Sequence, residues 1–197
     1  MGDARDFATD VFRAVCDRFA DLKFLVDAGA SFEDWLTWEA FLACKLRQES
    51  YPFCEVVAKP TYASEGVGVG GDPEGHRGDL RVGGPNDGAD HCWVFAEFVL
   101  IHEDIRTGGE WMRKIEAAAD RLRRLGWKKS AALLVVVVAI RGDGVEEWGD
   151  DLAGCAVWNR PALTDPFVIA LPGGGMIILR AFDIKQYPTD TLTASPR

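Results

Sequence analysis

The spacing of apolar positions predicts two helices at the start of the chain. In the first helix these positions recur at intervals of three and four, at Phe7, Val11, Val15, Phe19, Leu22 and Val26. A second helix is predicted from Ser31, with one face formed by Trp35, Leu42 and Leu46. Glu39 falls on that same face, so a carboxylate interrupts the apolar stripe of the second helix.

The rest of the chain has the pattern of six strands and one strongly amphipathic helix. Both faces of segments 92–101 and 131–140 are apolar apart from Glu97, which predicts central strands covered on both sides. The helix predicted over 111–125 lies between them along the chain, so we expect a crossover and parallel pairing. Shorter strands are predicted over 53–59 and 78–82, and a C-terminal β-hairpin over 167–171 and 176–184.

Length and composition favour one soluble domain. The chain has 197 residues, of which 48% are hydrophobic and 27% charged, and its net charge is −9. We expect a single α/β domain over 1–187 and a flexible C-terminal tail over 188–197. The longest strongly apolar run has 10 residues, too few to span a membrane, so a cytoplasmic protein is expected. The five cysteines form no C-x-x-C pair, which argues against a zinc knuckle and a disulfide framework.

Two carboxylates stand on neighbouring predicted strands. Asp79 lies at the start of the strand 78–82, and Glu97 lies inside the strand 92–101. With the element order helix, strand, strand, strand, helix, strand, this pattern resembles the PD-(D/E)XK nuclease superfamily over about residues 31–140. The resemblance implies a three-layer, restriction-endonuclease-like core (α-β-β-β-α-β), here with an extra N-terminal helix and the C-terminal hairpin.

The resemblance also implies roles for particular residues. Asp79 and Glu97 would bind Mg²⁺ or Mn²⁺, and Glu39 would be an auxiliary acid. The family's lysine, two residues after the strand glutamate, is replaced here by Val99. Lys59 on the preceding strand is the substitute that we favour, because neighbouring strands can present side chains to one site. The chemistry fits a cation site, because Mg²⁺ prefers hard carboxylate oxygens and an unpaired, ionised Glu97 would be costly to bury.

Structural explanations exist for each of these residues. Glu97 could be buried with a hydrogen-bonding or basic partner. Asp79 could belong to a turn at the start of its strand, where aspartate is common. Glu39 could reach solvent at the edge of its helix, and Lys59 could be an exposed residue at a strand end.

Two functions therefore stand open. The first is a metal-dependent phosphodiesterase that acts on nucleic acid, and the second is a non-catalytic module of the same fold that binds a partner protein or nucleic acid. The basic residues concentrate on and after one helix, at Arg113, Lys114, Arg121, Arg123, Arg124, Lys128 and Lys129. This face could follow a phosphate backbone, or it could be a solvated helix face with internal ion pairs.

Overall fold

The computed structural model describes residues 4–18, 22, 32–50, 55–61, 77–83, 93–102, 109–125, 131–140 and 145–184. Within them the chain forms four helices: α1 (Ala4–Arg18), α2 (Glu33–Leu46), α3 (Glu110–Arg123) and α4 (Val145–Ala153). It also forms six strands: β1 (Glu55–Ala58), β2 (Leu80–Gly83), β3 (Trp93–His102), β4 (Ala131–Ile140), β5 (Phe167–Ala170) and β6 (Met176–Asp183).

The six strands form one mixed, mostly antiparallel sheet in the order β1-β2-β3-β4-β6-β5. β3 and β4 are parallel, as predicted from the helix between them, and their pairing extends from Val94 opposite Ala131 to His102 opposite Ala139. The other neighbouring pairs are antiparallel, including the predicted hairpin of β5 and β6. The α/β class is therefore confirmed.

Helices cover both faces of the sheet. Successive side chains of a strand point to opposite faces, and on the central strands both faces carry apolar side chains that pack against helices. On one face Phe98 and Leu100 of β3 belong to a core that includes buried residues of α1 and α2. On the other face Phe95 and Val99 belong to a second core with buried residues of α3 and α4. The predicted buried face of α3 is confirmed, with Trp111, Ile115, Ala118, Leu122 and Leu125 all in this second core.

The orientation of α2 differs from the sequence prediction. Leu42 and Leu46 are 41% and 70% exposed, whereas the predicted stripe would have turned them towards the core. The buried residues of this helix are instead Leu36, Thr37, Ala40, Ala43 and Cys44. The buried residues are mostly small, so the helix can lie close to the sheet, and the bulkier side chains are left outside.

The structure contains a helix that the sequence did not predict. The acidic stretch before Asp151 forms α4, with Trp148 and Leu152 buried four residues apart on one face. In the predicted first helix, Leu22 is buried, whereas Phe19 and Val26 lie outside the described residues. The predicted C-terminal tail, 188–197, also lies outside them. No helix in the described part of the chain is long and apolar enough to cross a bilayer.

Candidate functional site

Asp79 lies one residue before β2, where the ladder between β2 and β3 ends. The last paired residues are Leu80 and Ala96, so the following part of β3 has no β2 residue opposite it. The carboxylate of Asp79 takes that place, because its Oδ2 accepts the backbone N–H of Phe98 at 2.8 Å. The side chain thus substitutes for a backbone carbonyl at the end of the strand pair.

The second oxygen of the same carboxylate is also engaged. Oδ1 of Asp79 accepts hydrogen bonds from the hydroxyl of Thr37 on α2, at 3.1 Å, and from the ammonium of Lys59, at 2.9 Å. Lys59 follows β1 directly, and its backbone N–H donates to the carbonyl of Asp79 at 2.9 Å. The structure therefore brings together Lys59 and Asp79, as expected for side chains from neighbouring strands.

Lys59 is held in an uncommon backbone conformation between two carboxylates. Its φ angle is 49°, in the left-handed region that few residues other than glycine adopt. Its Nζ lies 3.0 Å from Oδ1 of Asp34 and 2.9 Å from Oδ1 of Asp79. Burial lowers the pKa of Lys59, but the hydrogen bonds and charges of Asp79 and Asp34 outweigh it, so the net pKa is raised. The raised pKa keeps the amine protonated at neutral pH.

Glu97 lies on the opposite face of the sheet, in the layer covered by α3. Its side chain is 3% exposed and forms a bidentate pair with Arg121, with Nε at 3.2 Å from Oε1 and Nη2 at 2.7 Å from Oε2. Asp79 instead contacts Thr37 of α2, which covers the other face. The two predicted metal ligands therefore contact different helices and have different basic partners.

Glu39 is separate from both of these groups. Its Oε2 accepts hydrogen bonds from Nε of Arg18 at 3.1 Å and from Nη2 of Arg18 at 2.9 Å. This ion pair joins α1 and α2, and so the predicted auxiliary acid links two helices.

The side chains do not fit the Mg²⁺ or Mn²⁺ site that the family resemblance implies. Mg²⁺ needs carboxylate oxygens that can enter an octahedral shell with water. Both oxygens of Asp79 and both oxygens of Glu97 already accept hydrogen bonds from protein groups. Within the described ranges, no group of three or more His, Cys, Asp and Glu side chains could hold a metal ion.

The basic residues of α3 are partly neutralised. Lys114 forms an ion pair with Glu33 of α2, and its Nζ also donates to the carbonyl of Leu100 at 3.3 Å. Arg121 is paired with Glu97, and Arg123 with Asp120 of the same helix. The side chains of Arg113 and Arg124 are exposed, whereas Lys128 and Lys129 lie outside the described residues. The predicted basic face is thus interrupted by ion pairs over the part of α3 that is described.

A pocket of about 470 Å³ lies at the carboxyl end of β3, lined by His102, Glu110, Arg113 and Lys114. Ligands often bind at this end of parallel strands. The lining contains neither Asp79 nor Glu97, so the pocket is separate from the predicted catalytic groups.

Three partners were not among the predicted site residues. Asp34 and Thr37 contact Lys59 and Asp79, and Arg121 neutralises Glu97. The one available signal was Thr37, a polar residue beside Leu36 and three positions before Ala40, which are both buried. Arg121 was expected on an exposed face, but its long side chain turns back to the sheet.

Comparison of the chain with protein-family models, with curated proteins and with solved structures finds no match.

Proposed function

We propose that this chain is a non-catalytic module with a nuclease-like architecture that recognises a partner protein. The observation that carries the proposal is the pairing of all three predicted acidic residues with protein cations: Asp79 with Lys59, Glu97 with Arg121 and Glu39 with Arg18. A carboxylate that works in hydrolysis must be available to a metal ion or a water molecule. Here the same groups join strands and helices to one another.

The order of elements supports the nuclease-like architecture. From α2 to β4 the chain runs helix, three strands, helix, strand. β1, β2 and β3 form an antiparallel meander, and β4 then pairs parallel to β3. We infer from this connectivity that the scaffold is restriction-endonuclease-like, with its predicted catalytic positions used for packing.

Charge favours a protein over a nucleic acid as the partner. A nucleic-acid-binding face needs cations that are available to phosphates, and binding depends on how many phosphates they neutralise. The chain carries a net charge of −9, and Lys114, Arg121 and Arg123 of α3 are held in ion pairs. The free thiols of Cys16, Cys44 and Cys155 suit the reducing cytoplasm, which is the compartment we propose.

A cleavage assay tests the proposal. Wild type, Val99→Lys and Asp79→Ala are each incubated with labelled single- and double-stranded DNA and RNA, with Mg²⁺ or Mn²⁺ at millimolar concentration. We expect no cleavage by any of them and no retardation of the nucleic acids at physiological salt. Metal-dependent cleavage by wild type that is lost in Asp79→Ala would overturn the proposal.

A metal-dependent phosphodiesterase is the second candidate function. The observation that favours it is the position of Lys59, whose ammonium lies between Asp34 and Asp79 on a backbone with positive φ. Backbone strain of this kind concentrates at functional sites. A melting-temperature measurement with and without Mg²⁺ separates the two candidates, because an ion that binds only the folded state stabilises it. We expect no increase; an increase that Asp79→Ala removes would favour the phosphodiesterase.

A further inference from the structure

One face of α2 carries large apolar side chains on the surface of the protein. Trp38 is 51% exposed, Leu42 is 41% exposed, and Leu46 extends the apolar surface by one more turn at 70% exposure. The rings of Trp38 and Phe41 meet edge to face, with centroids 6.0 Å apart. An apolar surface of several neighbouring side chains, rather than one isolated leucine, indicates an interaction site.

Charged residues of opposite sign stand at the two ends of this face. Successive helix residues are turned by about 100°, so Asp34, Trp38, Leu42 and Lys45 lie on one side of α2. All four are exposed. From the amino to the carboxyl end, the face therefore presents an acid, two apolar side chains and a base.

We propose that a second copy of this chain binds here, with the two α2 helices antiparallel across a twofold axis. The inference rests on the proposed function, because it identifies the proposed partner protein as a second copy of the chain. A face with the order acid, apolar, apolar, base is complementary to itself when one copy is reversed. A twofold contact has this property. If one residue of the first copy meets a second residue of the other copy, the symmetry makes the same two residues meet with the copies exchanged.

The antiparallel arrangement defines the contacts. Trp38 of one copy faces Leu42 of the other, and the symmetry repeats this contact. Asp34, which is 88% exposed and also contacts Lys59 of its own chain, faces Lys45 of the other copy, also twice, whereas a parallel arrangement would place like charges together. The apolar centre supplies affinity, while the exposed charge pairs select the orientation and contribute little energy.

The edges of the sheet offer a poorer contact. β1 and β5 are the edge strands, and each has four residues. Short edge strands are typical of proteins that avoid edge-to-edge pairing. The surface of α2 is therefore where we place the contact between the copies.

Sedimentation equilibrium of the full chain over a range of concentrations tests the inference. Wild type should show a particle of twice the chain mass of 21.6 kDa at micromolar concentration. Trp38→Glu and Leu42→Glu should each raise the dimer dissociation constant about tenfold or more, because they put a charge in the apolar centre. Lys45→Glu should raise it a few-fold, because it places Glu beside Asp34 of the other copy.

Matched controls place the same charges elsewhere. Val168, on the edge strand β5, is 55% exposed, so Val168→Glu adds a carboxylate to an equally exposed apolar position. Arg124→Glu makes the charge change of Lys45→Glu at an exposed residue directly after α3. Both controls should dimerise like wild type, and circular dichroism checks that every variant is folded.

The possible outcomes separate this inference from the proposed function. Wild type that stays monomeric at about 100 µM, far above the dissociation constants of specific dimers, overturns the inference. A dimer that is unaffected by Trp38→Glu and Leu42→Glu also overturns it. The cleavage assay is run on the same samples: an inactive monomer leaves the non-catalytic function standing, whereas an active dimer that Trp38→Glu and Leu42→Glu weaken overturns that function and supports the α2 contact.

Discussion

Removing Arg121 should destabilise the protein strongly if the Glu97–Arg121 pair is structural. In Arg121→Ala the carboxylate of Glu97, which is 3% exposed, would stay in the apolar layer under α3 without its bidentate partner. Breaking a buried ion pair from one side typically costs about 3–5 kcal/mol. The Arg121 side chain is itself 35% exposed, and solvent there screens the pair, so we expect about 3 kcal/mol.

The double replacement Glu97→Leu with Arg121→Leu is the informative comparison. It removes both charges and keeps apolar volume, so its unfolding free energy should lie within about 1 kcal/mol of that of wild type. Glu97→Ala alone should destabilise, because it leaves a cavity among Phe95, Val99 and their neighbours.

Urea unfolding followed by far-ultraviolet circular dichroism measures these differences, with the four proteins at one concentration so that any self-association affects them equally. A loss of about 3 kcal/mol corresponds to roughly 6–12 °C in melting temperature for a chain of this length. The reasoning would be refuted if Arg121→Ala kept the stability of wild type while Glu97→Ala became more stable. That result would mean that Glu97 is retained at a cost to folding, as an active-site carboxylate can be.

Three further predictions concern packing and the thiols. Leu122 is fully buried on the face of α3 that packs on the sheet, so Leu122→Ala should cost about 2–5 kcal/mol in the same urea assay, whereas the exposed Arg124→Ala should be neutral. Val99→Lys should lower the melting temperature without creating cleavage, because Val99 is 2% exposed and its new ammonium would be buried. Burial raises the pKa of both Cys16 and Cys44 from 9.0 to about 12. Between these values only the unfolded chain releases the thiol protons, so stability should fall as pH rises above 9, measured by thermal melting. A pH-independent melting temperature over pH 8–10 would contradict the thiol prediction.

The central strands could be predicted because their burial is visible in the sequence. β3 and β4 each have ten residues, apolar on both faces apart from Glu97 and His102 of β3, and few structures other than covered central strands have that pattern. The phase of α3 was equally clear, because charged residues separate its apolar positions. In these elements the spacing of apolar residues fits only one type of secondary structure and one choice of buried face.

The orientation of α2 could not be predicted in the same way. Its outward face carries Trp38, Leu42 and Leu46, whereas most of its fully buried positions are small, so hydrophobicity alone favours the wrong side. The space between helix and sheet decides the orientation, and Ala40 and Ala43 are small enough for a close approach. α4 was missed because it is short and acid-rich, with only Trp148 and Leu152 marking its buried face.

The candidate site was predictable only in part. The proximity of Lys59 and Asp79 follows from adjacent strands, and the sequence suggested it. The direction in which Glu97 points depends on strand register and on which helix covers each face. Because β3 is apolar on both sides, the sequence carries no signal for this choice, and Glu97 could be assigned equally well to either layer.

The ending of β2 beside β3 has a consequence for solubility. β4 pairs with β3 up to His102, but β2 stops opposite Ala96, which leaves backbone groups on the outer edge of β3. Within the described residues, charged side chains engage two of these groups: Asp79 accepts the N–H of Phe98, and Lys114 donates to the carbonyl of Leu100. An uncovered, apolar strand edge is a template on which another chain can add a strand, and from there aggregates grow. We therefore expect Asp79 and Lys114 to oppose intermolecular strand addition at this edge, which is a structural role for the acid at position 79 that needs no enzymatic reaction.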